Sequence, residues 1–218
     1  MEHRIYLYGE SHAREEIMQY ELKEWQNYYH NHGFRHFFVE YPYYTSLLLN
    51  MWMKDDKDDI LLAVYDNWAG TLAHCEATLD FYRSLKATCP ETVFHGTDVG
   101  HQYTTTGAMA LRILEERGMK DTEEYRLSEE AIEQGFYYRG GEKKDRNYRE
   151  IKMAENFIKS YDRIGRPYIM GVYGSNHMKT DSYVGDATPR FIVRLLQKYG
   201  DEVTVENLTA KFAEFKKD

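Results

Sequence analysis

Short apolar runs alternate with longer stretches of helical periodicity along this chain. The strand-like runs lie at residues 4–8, 36–40, 92–95, 167–173 and, more weakly, 202–205. Strands that alternate with helices are typical of a parallel sheet covered on both faces. The pattern predicts an α/β fold, a three-layer sandwich with a mainly parallel central sheet, helices on both faces and a site at the strand carboxyl ends.

The intervals between these runs each have one apolar helical face. The clearest helix starts near His12 and ends before Gly33, with apolar positions at Ile17, Met18, Leu22, Trp25 and Tyr29. Residues 45–89 predict two helices, and the acidic residues 55–59 between them predict a solvated helix start because their spacing matches no calcium loop. Further helices are predicted at residues 107–117, 123–136, 146–161, 189–199 and 206–217.

Composition narrows the class of protein. Length fits one domain over residues 1–218, with a helical, partly flexible segment at about 102–150. The spacing of Cys75 and Cys89 fits neither a zinc-ligand motif nor a redox motif. No apolar signal segment is expected before the first strand, and no later apolar run approaches the ~20 residues of a membrane-spanning helix. We therefore expect a cytoplasmic protein with no membrane partner. The net charge of -8 also argues against a nucleic acid partner.

Two copies of Gly-x-x-His each follow an apolar strand. They are Gly9-Glu10-Ser11-His12 and Gly174-Ser175-Asn176-His177. Because the carboxyl ends of parallel strands meet at one edge of a sheet, His12 and His177 are expected to converge there. Imidazole titrates near neutrality, so two such groups beside carboxylates predict proton transfer or metal binding. The expected partner is a small-molecule substrate.

Other ionisable residues stand at the ends of neighbouring strands. Glu40 follows three apolar residues, where partial desolvation would raise its proton affinity. Asp98 and His101 follow the third strand, and Asp98 either orients a histidine or caps the next helix. Between residues 139 and 149 five Lys or Arg stand against two acids. The joint at 137–146 is therefore either a basic lid over an anionic substrate or a solvated flexible loop.

Five motifs in this order resemble the superfamily of erythromycin esterase-like, haem-binding ChaN-like and Tiki (TraB)-type proteins. They are Gly9-Glu10-Ser11-His12, Glu40, Gly96-Thr97-Asp98, residues 149–156 and Gly174-Ser175-Asn176-His177. The resemblance implies an α/β fold in which His12 acts as base toward a water. Supporting and pocket residues that it implies are Glu10, Glu40, His177 and Arg149. The candidate binding residues of the sequence are Asp98, His101, Glu150 and Asn176.

Departures from the superfamily limit the expected ligands. Esterases that open macrolide lactones have one more residue between the acid and the histidine of the first motif, so we do not expect a macrolide substrate. Haem-binding members are exported lipoproteins, so we do not expect haem either. Tiki-type members are metal-dependent peptidases, and a divalent metal therefore stays open here, with the ligands His12, His177, Glu10 and Glu40.

The sequence thus predicts a hydrolase of an ester or related acyl bond with alternatives beside it. One is a non-catalytic protein that holds a metal, haem or a small anion in the same pocket, and another is a metal-dependent peptidase. A third is a serine hydrolase. In that scheme Ser11 is the nucleophile, because Gly9-Glu10-Ser11-His12-Ala13 nearly matches the Gly-x-Ser-x-Gly elbow at a strand-to-helix turn.

Overall fold

The computed structural model describes residues 2–141, 144–180, 183–184 and 188–214. Seven strands are described, namely β1 (Ile5–Glu10), β2 (His36–Pro42), β3 (Val93–Asp98), β4 (Ile169–Gly174), β5 (Tyr183–Val184), β6 (Thr188–Pro189) and β7 (Val203–Asn207). Five of them form one parallel sheet in the order β3-β2-β4-β1-β7, while β5 and β6 pair antiparallel. The predicted α/β fold and its five strands are confirmed.

Nine helices accompany the strands in the described part of the chain. They are α1 (Glu15–His32), α2 (Tyr43–Met53), α3 (Asp59–Asn67), α4 (Glu76–Thr88), α5 (Ala108–Glu116), α6 (Glu123–Arg139), α7 (Arg146–Arg163), α8 (Phe191–Tyr199) and α9 (Leu208–Glu214), with a π-helical turn at Tyr103–Gly107 and a 3-10 turn at Gly200–Glu202. None of the described helices is long and apolar enough to span a membrane.

Three predicted helical boundaries need correction. The region 45–89 holds three helices and not two. Helix α3 ends before Trp68, and Gly70 has a positive φ of 81°, which helical residues do not adopt. At the C-terminus β7 extends to Asn207, so α9 begins later than predicted, and residues 215–218 lie outside the described residues. Helix α6 continues to Arg139, and the predicted basic loop includes residues 142–143, which also lie outside them.

The apolar side chains of the sheet divide between its two faces. Successive residues of a strand point to opposite sides, so Phe37 and Val172 pack toward helices α1 to α4, whereas Phe38 and Tyr173 pack toward α7 and α8. Strand β4 lies between β1 and β2 and is buried along its whole length. The three layers therefore hold the carboxyl ends of β1, β2, β3 and β4 side by side along one edge.

Candidate active site

Arg149 of α7 lies at the centre of a buried ion-pair network at this edge. Its Nε donates to Asp98 Oδ1 at 2.9 Å, and its Nη2 donates to Asp98 Oδ2 at 2.6 Å and to Glu40 Oε1 at 2.5 Å. The other Glu40 oxygen accepts the backbone N–H of Gly174 at 2.5 Å. The guanidinium of Arg149 therefore connects the carboxyl ends of β2 and β3, and the hydrogen bond from Gly174 to Glu40 connects β2 to β4.

Both carboxylates of this network stay ionised although they are buried. Burial alone would raise the pKa of Glu40, but the charges of His177 and Arg149 outweigh it and hold that pKa well below the usual range. Asp98 behaves alike, since burial is outweighed by Arg149 and His101, and its pKa is also lowered. The acids at 40 and 98 are thus fixed negative charges, contrary to the raised proton affinity that the sequence predicted for Glu40.

His177 lies behind Glu40 and connects the network to α7 and α8. Its Nδ1 donates to Glu150 Oε1 at 2.6 Å, and its Nε2 is 3.3 Å from Glu40 Oε1. Glu150 Oε2 accepts the N–H of Phe191, the first residue of α8, at 2.7 Å. Burial lowers the pKa of His177, yet the charge of Glu40 and the hydrogen bond to Glu150 outweigh it and raise that pKa to about 10. His177 is therefore a buried cation at neutral pH.

His12 is an exposed ionisable group of the site. Its Nδ1 donates to Glu10 Oε1 at 2.7 Å, and 44% of its side chain is exposed. The hydrogen bond to Glu10 raises the pKa of His12 to about 9; burial opposes this rise and the charge of Glu40 adds to it. Its Nε2 makes no hydrogen bond within the described residues and lies 3.0 Å from the position that a Cβ on Gly174 would occupy. This nitrogen is free to meet a water or a substrate.

A cavity of about 330 Å³ opens beside these groups, between the sheet and helices α1 and α4. Its volume suits a small molecule. The lining includes Glu10, His12, Glu21, Glu40, Asp98, His101 and Arg149, and Arg139 from the end of α6 joins it through a hydrogen bond from Nη2 to His101 Nδ1 at 3.2 Å. The rest of the cavity is mainly aromatic and apolar, with Phe37, Val39, Tyr41, Trp68, Phe81 and Tyr82.

Solved structures resemble the chain over nearly its whole length. A Bacillus cereus protein is 13% identical over 95% of this chain and 66% of its own, with a TM-score of 0.63. A succinoglycan biosynthesis protein is 11% identical over 94% of this chain and 65% of its own, at 0.67. A mutant of the erythromycin esterase EreC in its open conformation is 12% identical over 94% of this chain and 69% of its own, at 0.66.

The chain has the fold of erythromycin esterase EreC. The resemblance that its motifs suggested is thereby confirmed at the level of the fold. This chain spans about two thirds of the length of each of these proteins. No protein-family model matches the sequence, and no curated protein matches it.

The structure brings most of the predicted site residues together, but His177, Glu150 and Asn176 do not line the cavity, and neither does Ser11. His177 contacts Glu40 and does not line the cavity, whereas His12 does. The two histidines therefore both interact with Glu40, but they do not face one common cavity. Asn176 is exposed in the turn after β4 and lies outside the cavity lining. Ser11 makes no hydrogen bond to an imidazole within the described residues, and it too lies outside the lining, which leaves the serine-hydrolase alternative without support.

The side chains named as metal ligands do not fit that role. Both ring nitrogens of His177 face carboxylates, and both oxygens of Glu40 accept hydrogen bonds, from cationic Arg149 and from a backbone N–H. Residues 2–141, 144–180, 183–184 and 188–214 contain no cluster of three or more His, Cys, Asp or Glu side chains placed to hold an ion. The reactive groups of the site are therefore its protein side chains.

Sequence reasoning missed the inner wall of the cavity. Tyr41 belongs to β2, Trp68 directly follows α3, and Tyr82 belongs to α4. No local sequence pattern distinguishes these three from ordinary packing residues. Glu21 of α1 also lines the cavity and is only 3% exposed. One signal for Glu21 existed, since it stands four residues after Ile17 and four before Trp25 and so puts an acid on the apolar helix face.

Proposed function

We propose that this protein hydrolyses an ester or related acyl bond of a small molecule with a water that His12 activates. The observation that carries the proposal is the His12–Glu10 pair, with Nε2 unbonded at the polar end of a cavity that ionised side chains surround. The erythromycin esterase fold of EreC supports it, because that protein is an esterase by its description.

Glu10 gives His12 the tautomer that a base needs. With the Nδ1 proton held by Glu10 Oε1, the neutral ring carries its lone pair on Nε2. Nε2 takes a proton from water as the water oxygen bonds to the acyl carbon. The same proton then passes to the leaving oxygen as the acyl–oxygen bond breaks, which yields a carboxylic acid and an alcohol.

Arg149 is the proposed electrostatic partner of the developing oxyanion. Its Nε and Nη2 are occupied by Asp98 and Glu40, which fix the guanidinium plane, whereas Nη1 has no hydrogen bond within the described residues. Arg149 lines the cavity, so Nη1 is a candidate donor to the acyl oxygen. His177 acts in this scheme as a positioning residue, because it neutralises and holds Glu40 without reaching the cavity.

A substrate screen of p-nitrophenyl and alkyl esters, with and without chelator, tests the proposal. We expect turnover that the chelator leaves unchanged, and a loss of about 100-fold or more in kcat/KM in His12→Ala, since general base catalysis contributes that much. His30→Ala is the matched control, because His30 is an exposed residue of α1. Equal activity of His12→Ala and the wild type would overturn the proposal, and ligand binding without any turnover would favour the non-catalytic alternative.

A further inference from the structure

Glu21 is a buried acid in the cavity wall that the proposed hydrolysis does not use. Its side chain is 3% exposed, it lines the cavity, and its Oε1 has no hydrogen-bond partner among the residues that the structure describes. Burial, followed by the negative charge of Glu10, raises the pKa of Glu21 well above the usual range. An unpartnered buried carboxyl destabilises a fold, so its presence beside a cavity calls for a ligand that satisfies it.

Aromatic rings surround the same end of the cavity. Tyr41 stacks on Trp68 with 5.1 Å between ring centroids, and Phe81 packs edge-on against Tyr82 at 5.4 Å. The phenols of Tyr41 and Tyr82 interact with each other, and burial raises the pKa of both, so they stay neutral. This end of the cavity therefore offers ring faces and one carboxyl.

We propose that Glu21 binds an ammonium group of the substrate at this inner, aromatic end of the cavity. When Glu21 releases its proton to solvent on binding, a primary ammonium donates to the resulting carboxylate and is attracted to the ring faces beside it. An apolar group would leave the Glu21 oxygen without a partner, and an anion would be repelled by Glu10. The ammonium is thus the group that satisfies the acid and the rings together.

The charges along the cavity set the orientation of the substrate. Arg149, Arg139 and His12 line the same cavity as Glu21 and the aromatic rings. An ester with an amino group on one arm would place its acyl oxygen at the cations and its ammonium at Glu21. This orientation rests on the proposed hydrolysis, whereas the ammonium site itself does not.

Calorimetric titration of the full-length protein tests the ammonium site without relying on turnover. The probes are n-hexylamine, which is protonated at pH 7, and the alcohol of equal chain length, 1-hexanol. We expect the amine to bind at least about tenfold more tightly than the alcohol, because a hydrogen bond to a charged group is worth more than a neutral one. Glu21→Gln should remove that preference and leave 1-hexanol binding unchanged.

Glu15→Gln is the matched control, since Glu15 is an exposed acid of the same helix. The thermal melting of Glu21→Gln is measured alongside, so that a folding defect is not taken for a binding defect. Equal affinity of the two probes, or an amine preference that survives Glu21→Gln in a folded protein, would overturn the inference. Ester turnover without an amine preference rejects only the ammonium site, and an amine preference without turnover rejects only the hydrolase proposal.

Discussion

At the scale of single residues, Gly174 leaves room for His12 and Glu40 to lie close to the end of β4. A Cβ at this position would lie 3.0 Å from His12 Nε2 and 3.2 Å from Glu40 Oε2, which are tighter contacts than such atoms ordinarily make. The backbone N–H of the same residue donates to Glu40. A glycine here lets the free nitrogen of His12 and the anchored carboxylate of Glu40 share one small space.

Gly174→Ala should therefore impair function more than folding. The added methyl group requires the imidazole of His12 to move by a few tenths of an ångström from its place beside Glu40. We expect kcat/KM to fall, by less than the roughly 100-fold that a misplacement of 1 Å costs. Ser175→Ala changes the next, half-buried position and serves as control. Steady-state kinetics and thermal melting of both variants check this, and a Gly174→Ala protein with wild-type activity would contradict the proposed role of His12.

The proposed base at His12 also fixes the pH dependence. Because its pKa is raised to about 9, only its minor neutral form can accept a proton at pH 7. We expect kcat/KM to rise with pH, to reach half of its limit near pH 9 and to level off above it. Glu10→Gln removes the largest cause of the raised pKa, so the plateau should begin at lower pH. A profile that falls between pH 7 and 9 in the wild type would show that the cationic form of His12 is the active one.

At the scale of elements, the sequence predicts what depends on local pattern and strand direction. The strands and the convergence of Glu10, Glu40 and Asp98 follow from apolar runs and from the parallel sheet. The break between α3 and α4 and the aromatic cavity wall depend on tertiary packing, which no short window records. The central place of Arg149 could not be predicted from the helix pattern alone, because an arginine on a polar helix normally points to solvent.

The loop after β3 rests directly on α6 through two glycines. A Cβ on Gly135 would lie 2.1 Å from the carbonyl oxygen of Gly100, and a Cβ on Gly100 would lie 2.3 Å from the carbonyl oxygen of Ala131. Both partners are backbone atoms and cannot turn aside. This contact places the segment that carries Asp98 and His101 against α6.

Gly135→Ala should consequently shift that segment and weaken both stability and activity. We expect a loss of about 1–3 kcal/mol, typical of an overpacked interior, together with a lower kcat/KM as Asp98 moves away from Arg149. Glu133→Ala, at an exposed position of α6, is the control. Urea unfolding and ester kinetics measure the two effects, and a Gly135→Ala protein with wild-type stability would refute the direct backbone contact.

At the scale of the whole molecule, one charge network joins both faces of the sheet. Glu40 interacts electrostatically with His12 and lines the cavity on the side of α1 to α4, and it contacts His177, which pairs with Glu150, on the side of α7 and α8. Buried charges are tolerated only when they are paired, so the loss of charge on any one member of the network should destabilise the fold. Its titration should therefore appear in the stability of the entire domain.

Stability should fall as pH rises above neutrality. The pKa of His177 is about 10 in the folded protein and near 6.5 when unfolded, so its contribution is complete below pH 6.5 and is lost as pH passes through 10. The free energy of unfolding should drop by up to about 1.4 kcal/mol per pH unit from this residue. His12, with its pKa of about 9, adds a loss of the same sign over a lower range.

Urea unfolding of the wild type and of His177→Asn between pH 7 and 9.5 tests this linkage. The variant should be less stable than the wild type at pH 7, because Glu40 and Glu150 lose their shared cation, and its stability should depend less on pH. His30→Asn changes an exposed histidine and should follow the wild type. Parallel pH dependences of the wild type and His177→Asn would mean that His177 is neutral when folded, and Glu40 would then depend on Arg149 alone for its charge.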